Sequence, residues 1–186
     1  MPLLSPATLK LCSRHDLGKL SARANAELPL LETAEPGGPI LLDTGVYIHQ
    51  LKSQAPRTLE KLISLRITNH SSVAIQELLH TVGRLDPGDP RTKDNVAGIM
   101  KLVEGVPMHR LLRPDLDVLA DAAVYAGILC RLRGYQKDNR KKALSDSTLF
   151  LQARKLGLTL VTANVEEFDL LQQMQPEGRV LFYMAT

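Results

Sequence analysis

The sequence predicts an α/β fold with a mainly parallel central sheet flanked by helices. Short apolar runs alternate along the chain with longer segments whose apolar residues recur at helical spacing. The chain has 186 residues, of which 44% are hydrophobic and 23% charged, as is typical of one globular domain. Strands that alternate with helices usually pair in parallel, since each helix carries the chain back across the sheet.

Two strands and three helices are predicted between residues 40 and 104. The run 40–42 is apolar and stops at Asp43, which is typical of a buried strand. Apolar residues at positions 59, 62, 63 and 67 then follow at helical spacing. A second strand at 71–75 leads into a helix that carries Ile75, Leu78, Leu79 and Val82, spaced i, i+3, i+4 and i+7. The segment 86–90 (DPGDP) predicts a loop, and a helix is expected over 92–104.

The second half continues the alternation. A third strand is expected at 108–112, and Asp115 is in position to cap a long helix that ends at Gly134. The inward face of that helix is predicted to carry Leu116, Leu119, Ala123, Ala126 and Leu129. Another helix is expected to start at Asp146 and stop at Gly157, followed by a strand at 158–162, a helix at 165–171 and a strand at 179–183.

The segment 34–39 (AEPGGP) has the composition of a linker. We therefore predict an N-terminal extension at residues 1–38, expected to be flexible, and one domain at residues 39–186. Before the linker the hydrophobic pattern is weak, and after it the pattern is regular.

Composition also limits the class of protein. The net charge is +3, which by itself says little about partners. No apolar stretch approaches the 18 or more residues of a membrane-spanning helix. Two cysteines are too few for a disulfide framework and favour a reducing, cytoplasmic setting.

Acidic side chains follow the predicted strands at the point where each strand ends. Asp43 comes directly after the first strand, Glu77 lies just past the second, and Asn164 follows the fourth, while Asp146 opens the helix before it. In a parallel sheet the carboxyl ends of the strands meet at one edge, where sites form. Carboxylates gathered there repel one another, and Mg²⁺ or Mn²⁺ relieves that repulsion. Such an ion activates water, so a phosphodiester is the natural substrate.

Each acid also has an ordinary structural interpretation. Asp146 at a helix start is a common cap, and Glu77 in a first turn benefits from the helix dipole. Glu166 and Glu167 fit the first turn of the last helix equally well. The functional interpretation therefore depends on the whole set of acids.

Four segments together resemble PIN-domain nucleases, specifically the VapC-like toxins of bacterial toxin–antitoxin pairs. The segments are 41–48 (LLDTGVYI), 72–78 (SVAIQEL), 144–153 (LSDSTLFLQA) and 158–168 (LTLVTANVEEF). Each is a weak motif alone, but they occur in the family's order and spacing. The resemblance covers residues 40–183, nearly all of the predicted domain.

The resemblance implies a PIN-like three-layer sandwich and a metal-dependent endoribonuclease that uses Mg²⁺ or Mn²⁺. It implies Asp43, Glu77 and Asp146 as acidic site residues, with Asn164 at a position where many relatives have Asp. Asn brings no charge, so Glu167 is expected to complete the metal shell, with Asp169 as a weaker candidate. A small antitoxin protein is the implied partner, and the toxin is expected to form a homodimer.

One position departs from the family's pattern. Gly45 stands where Asn or Ser is frequent. Asn or Ser there can donate a hydrogen bond to the first Asp, and Gly cannot. Thr44 or another group is therefore expected to take that role.

A basic run precedes Asp146. The segment from Arg131 to Lys142 holds six basic residues and one acid. These cations can bind a phosphate backbone beside the metal site, and Tyr135 can stack on a base; the alternative is a solvated helix end that favours cations. The predicted RNA-binding residues are Arg131, Arg133, Lys137, Arg140, Lys141 and Lys142.

Other functions stay open. Asp43-Thr44-Gly45 matches the aspartic protease signature. That class of enzyme uses two such aspartates, whereas this chain contains the signature once and is predicted to be rich in helices. His80 lies three residues after Glu77 and can in principle share a zinc ion with it, although an exposed histidine is the simpler interpretation. A nuclease-like fold with a degenerate site would be a binding or regulatory protein. A DNA-directed nuclease would use the same acids, because they contact the phosphate and not the 2′-hydroxyl.

Overall fold

Within the described residues, five strands form one parallel sheet. The computed structural model describes residues 3–14, 16–135 and 137–186, with side chains at all of these positions other than 137 and 138. The strands are β1 (Ile40–Leu42), β2 (Thr68–Ser71), β3 (Leu111–Leu112), β4 (Thr159–Thr162) and β5 (Arg179–Phe182). Their order is β3-β2-β1-β4-β5, and every neighbouring pair is parallel. The predicted α/β class with a parallel central sheet is confirmed.

Helices connect and flank these strands. They are α1 (Pro6–Cys12), α2 (Thr44–Leu51), α3 (Arg57–Leu65), α4 (Ser72–Arg84), α5 (Thr92–Glu104), α6 (Leu116–Arg133), α7 (Lys137–Lys155) and α8 (Val165–Met174). Among the described residues, no helix is long and apolar enough to cross a membrane.

The central strand explains the shape of the core. All three residues of β1 are buried, because a strand in the middle of a parallel sheet is covered on both faces. Its register pairs Leu42 with Val161 of β4, so β1 and β4 end side by side. The residues that directly follow β1 and β4 therefore lie at the same edge of the sheet.

The structure corrects several predicted elements. The second strand is at Thr68–Ser71 and not at 71–75, and the helix that follows begins at once at Ser72. The helix α2 was not predicted. Of the predicted strand at 108–112, residues 108–110 form a 3₁₀ turn and only Leu111–Leu112 pairs with β2.

The predicted inward face of α6 is also partly wrong. Leu116, Leu119 and Ala123 are exposed, while Ala126 and Leu129 are buried as expected. The buried face is completed by Val118, Ala122, Tyr125 and Ile128. The helix is apolar on more than one side, so its periodicity selects no single face.

Residues before the linker make specific contacts with the rest of the chain. Leu31 N donates to Phe182 O at 2.7 Å and Phe182 N donates to Pro29 O at 2.9 Å, which adds a short parallel bridge beside β5. The Arg23 guanidinium lies 2.6 Å from the buried carboxylate of Asp169 in α8. The domain boundary near residue 39 stays a prediction, and these contacts cross it.

Candidate active site

A cavity of about 450 Å³ opens where β1 and β4 end. Its walls come from α2, α4, α7 and the turn that enters α8, and we call it the acid cavity. It is lined by Asp43, Thr44, Gly45, Ile48, His49, Glu77, His80, Thr81, Lys142, Asp146, Ala163 and Asn164. The structure thus brings together four of the sequence-predicted site residues, Asp43, Glu77, Asp146 and Asn164.

Asp43 is fixed at the junction of β1 and α2. It is 5% exposed, its backbone N donates to Val161 O at 3.1 Å, and its Oδ2 accepts a hydrogen bond from Thr162 Oγ1 at 2.7 Å. Burial raises the pKa of Asp43 to about 6, and repulsion from Glu77 acts in the same direction. Thr162 is thus the group that supports the first Asp, in place of the side chain that Gly45 lacks.

Asp146 lies inside α7 and not at its start, because the helix begins nine residues earlier, at Lys137. This corrects the prediction of a helix that starts at Asp146 and removes the interpretation of this residue as a cap. Asp146 is 3% exposed, and Asn164 Nδ2 donates to its Oδ2 at 3.1 Å. Burial raises the pKa of Asp146 well above its usual range, and repulsion from Asp43 is the next largest cause. A buried acid in mid-helix has no role in helix formation, so its position favours a role in the cavity.

Glu77 reaches the cavity from the second turn of α4, since that helix starts at Ser72. Its carboxylate accepts a hydrogen bond from the Thr44 hydroxyl. Glu77 is partly exposed, unlike the two aspartates. The three carboxylates therefore differ in solvent access, with Glu77 nearest to water.

Glu167 lies beside the acid cavity but outside its lining. It is 4% exposed, and its Oε1 accepts a hydrogen bond from Tyr135 Oη at 2.5 Å. Lys142 Nζ is 3.5 Å from Oε2, and that oxygen has no hydrogen-bond partner among the described residues. Its negative charge raises the pKa of Asp146, so Glu167 contributes to the field of the cavity.

Two other acids are placed away from the site. Asp169 is fully buried. Its carboxylate accepts hydrogen bonds from the Arg23 guanidinium, the Arg23 backbone N and Gln173 Nε2. Glu166 is exposed and forms an ion pair with Arg133 at 3.4 Å. The weaker candidate for the metal shell, Asp169, is thus already occupied in another contact.

Gly45 has a steric role in the cavity. A Cβ at this position would lie 3.3 Å from Asp43 Oδ2, which is closer than ordinary contact. The absent side chain leaves room next to the first carboxylate. The departure from the family's pattern therefore opens the cavity instead of weakening the support of Asp43.

The donor set of the cavity fits a hard divalent cation. Carboxylate and amide oxygens are the ligands that Mg²⁺ and Mn²⁺ prefer. The negative charge of Glu77 raises the pKa of Asp43, and that of Asp43 raises the pKa of Asp146. Within the described ranges, no three His, Cys, Asp or Glu side chains already stand as a ready set of metal ligands. Each carboxylate instead accepts a hydrogen bond from Thr162, Thr44, Asn164 or Tyr135.

The predicted RNA-binding residues are divided among different surroundings. Lys142 lines the acid cavity, whereas Arg133 forms an ion pair with the exposed Glu166. Arg140 and Lys141 are exposed on the first turns of α7. Arg131 lines a separate hollow beside Arg14, Leu17 and Gly18. The side chain of Lys137 lies outside the described residues.

Sequence reasoning did not name Thr162 or His49, and it expected Thr44 to support Asp43 and Tyr135 to stack on a base. Thr162, Tyr135 and Thr44 each donate to one carboxylate, and His49 lines the cavity with the acids. Thr44 and Thr162 follow or end strands β1 and β4, a position that the rule for strand ends also indicates. The pairing of Tyr135 with Glu167 joins residues far apart in sequence, and no local pattern signals it.

The comparisons with known proteins concern the fold. No protein-family model matches the sequence, and no curated protein matches it. Among solved structures, FitAcB from Neisseria gonorrhoeae matches with a TM-score of 0.53 at 19% identity, over 77% of this chain and 96% of that chain. DNA-bound VapBC from Salmonella typhimurium matches with a TM-score of 0.50 at 20% identity, over 79% and 98%. VapBC-1 from nontypeable Haemophilus influenzae matches with a TM-score of 0.50 at 19% identity, over 78% and 96%. The PIN-like fold expected from the sequence resemblance is confirmed, and part of this chain lies outside the match.

Proposed function

We propose that this chain is a metal-dependent endoribonuclease and the toxin of a toxin–antitoxin pair. The observation that carries the proposal is the convergence of Asp43, Glu77 and Asp146 on one cavity at the carboxyl edge of the sheet. Asp43 and Asp146 are buried, and the negative charge of Asp43 raises the pKa of Asp146. A cluster of this kind is costly for folding, and a bound cation would remove the cost.

The role proposed for each residue follows from its burial and its contacts. Asp43 and Asp146, both buried, are proposed to hold Mg²⁺ or Mn²⁺. Glu77 is nearer to solvent and is proposed to bind the ion or to orient the attacking water. Asn164 and Glu167 complete the shell, Asn164 by holding Asp146 in place. When bound, the cation would lower the pKa of a water molecule, so that hydroxide is available as the nucleophile, and it would stabilise the charge that develops on the phosphate.

The reaction is the hydrolysis of an RNA phosphodiester. The water oxygen forms a bond to phosphorus, and the bond from phosphorus to one ester oxygen breaks. A carboxylate or solvent accepts the water proton, and the leaving ester oxygen takes up a proton from solvent to become a hydroxyl. Lys142, which lines the cavity, and Arg133, which pairs with Glu166 in the first turn of α8, are proposed to attract the backbone. Arg131, Lys137, Arg140 and Lys141 extend this proposed RNA contact along α6 and α7.

The toxin role and the partners are proposals of the same kind. Two of the similar structures are described as VapBC and one as FitAcB, and this likeness of fold supports an antitoxin partner for the chain. We propose that the antitoxin blocks the acid cavity and that the toxin forms a homodimer and acts in the cytoplasm.

A cleavage assay on total RNA tests the proposal. The wild-type chain, Asp146→Asn and the wild-type chain with a chelator are compared with Mn²⁺ present, and new 5′ ends are mapped by sequencing. Asp117→Asn, which removes an exposed aspartate paired with Lys155, is the matched control and is expected to cut as the wild type does. Discrete ends that need both the metal and Asp146 would support the nuclease. Ends that persist in Asp146→Asn or with chelator would contradict it.

A binding or regulatory protein with a degenerate site is the second candidate. It is favoured by the hydrogen bonds that already occupy the carboxylates and by the neutral Asn164. Mn²⁺ binding, measured by titration calorimetry, with no cleavage of RNA or DNA would select this function. Cleavage of DNA alone would select a DNA-directed nuclease with the same acids.

A further inference from the structure

His49 lines the acid cavity but is absent from the set of acids and amides that the proposed function uses. It lies on α2, between the cavity and the end of β5. Its Nδ1 is 2.7 Å from Tyr183 Oη, and the two rings meet edge to face, with centroids 5.7 Å apart and an interplanar angle of 88°. The ring is therefore held from one side, through one of its two nitrogens.

The partner of His49 is itself rigid. Tyr183 directly follows β5, is 1% exposed, and donates from its backbone N to Thr162 O at 3.0 Å. Thr162 is the residue that also donates to Asp43. The position of the imidazole is thus tied to the same strand end that fixes the first carboxylate.

The contact between His49 Nδ1 and Tyr183 Oη is compatible with either tautomer of the ring. Burial lowers the pKa of His49, and the positive charge of Lys52 acts in the same direction, so the ring is neutral at neutral pH. In a neutral imidazole one nitrogen accepts and the other carries the proton. When the Tyr183 hydroxyl donates to Nδ1, the proton is on Nε2. That nitrogen has no hydrogen-bond partner among the residues that the structure describes, so it can donate to a ligand.

We propose that His49 donates a hydrogen bond from Nε2 to a phosphate oxygen of RNA bound in the acid cavity, with Tyr183 as the residue that positions it. This rests on the proposed function. A phosphate in a cavity of carboxylates needs donors that face it. The Thr44 hydroxyl is engaged with Glu77 and the Asn164 amide with Asp146, so the donors that remain in the lining are Lys142, His80 and His49.

The chain contains a matched control pair. Tyr47 Oη lies 2.8 Å from His70 Nδ1, in the same type of contact, but His70 lines a different hollow, of about 600 Å³, between α2, α3 and α5. His70→Asn removes an imidazole from a tyrosine partner without touching the acid cavity. It reports the effect of the same substitution, in the same type of contact, on stability alone.

Two substitutions at position 49 separate the two nitrogens. The amide of Asn stands at the same number of bonds from Cβ as Nδ1, so His49→Asn keeps a partner for Tyr183 and loses the donor at Nε2. The amide nitrogen of Gln stands one bond further out, like Nε2, so His49→Gln keeps the outer donor. We expect His49→Asn to lower kcat/KM for RNA cleavage about a hundredfold, His49→Gln to retain most of the activity, and His70→Asn to retain all of it.

The measurements are kcat and KM on a fluorescent RNA cut by the wild-type chain, with circular dichroism melts to show that each variant folds. Tyr183→Phe is expected to lower kcat/KM in the wild-type background and to have no further effect in His49→Asn, because it acts through His49. Loss in His49→Gln with retention in His49→Asn would show that His49 only satisfies Tyr183 and would overturn the proposal. Equal activity, or equal loss, in the two folded variants would overturn it as well.

A second measurement tests the contact between His49 and RNA if the chain is not a nuclease. If the wild-type chain cuts no RNA, the same variants are compared for RNA binding by fluorescence anisotropy with Mn²⁺ present. Weaker binding by His49→Asn and not by His49→Gln would still support the contact. Equal affinities would overturn it.

Discussion

Replacing Asp43 by Asn in the metal-free chain is expected to stabilise the fold while it removes the proposed activity. Asp43 is buried, and its pKa is raised from 3.8 to about 6 mainly by burial. Each tenfold shift in proton affinity corresponds to about 1.4 kcal/mol, so the ionised carboxylate costs about 3 kcal/mol at pH 7. Asn is nearly isosteric, carries no charge, and can still accept the hydrogen bond from Thr162.

The size of this stabilisation depends on pH in a defined way. Because the pKa is higher in the folded chain than in the unfolded chain, the folded state binds more protons, and stability falls as pH rises from 3.8 to about 6. Urea denaturation in a chelator, followed by circular dichroism, is expected to show Asp43→Asn more stable by up to about 3 kcal/mol at pH 7. At pH 4 the gain is expected to be below about 1 kcal/mol, since the wild-type carboxyl is then largely neutral.

Asp169→Asn is the matched control, because it neutralises another fully buried aspartate outside the acid cavity. Asp169 is paired with Arg23 at 2.6 Å, so its loss is expected to destabilise the chain by about 2 kcal/mol. Added Mn²⁺ is expected to raise the stability of the wild-type chain and not that of Asp43→Asn. An Asp43→Asn chain that is less stable than wild type at pH 7, or equally stabilised at pH 4 and pH 7, would refute the reasoning.

Three further substitutions test other contacts. Gly45→Ala places a methyl group 3.3 Å from Asp43 Oδ2 and is expected to weaken Mn²⁺ binding in calorimetry while the melting temperature changes little; unchanged affinity would contradict the steric role of this glycine. Tyr135→Phe removes the hydroxyl that donates to buried Glu167 and is expected to cost about 1–3 kcal/mol in urea denaturation; no loss would mean that water replaces the hydroxyl. Gly157→Ala forces a side chain onto a residue with φ of +66° and is expected to cost about 1–2 kcal/mol by the same measurement.

Some elements were predictable because local chemistry alone determines them. The helix Thr92–Glu104 has the bounds that its periodicity predicts. Gly134 ends α6 in the left-handed conformation that its position after the last apolar residue predicts. The apolar strand before Asp43 needed only the rule that a central parallel strand is buried on both faces.

Other elements depend on tertiary context. The strand β2 reads Thr-Asn-His-Ser, without the apolar run that marks a strand, and its place beside β1 is fixed by the pairing of Ile40 with Thr68. The helix α7 extends nine residues before Asp146 through a polar, basic segment, where apolar periodicity gives no signal. The sequence therefore predicted that Asp43, Glu77 and Asp146 lie together at one edge of the sheet, as they do, but not the local structure that holds each of them.

The contacts across the predicted linker bear on how the site is held. The N-terminus of α8 carries Glu167, and Asn164 precedes it as the cap residue. Further along the same helix, Asp169 is held by Arg23, and Gln173 donates to Ser21 O. A segment that the composition separates from the domain thus contacts the helix that presents two of the proposed site residues. Because a buried carboxylate such as Asp169 is costly without its partner, the domain as a stable unit is expected to need residues 21–31 as well as residues 39–186.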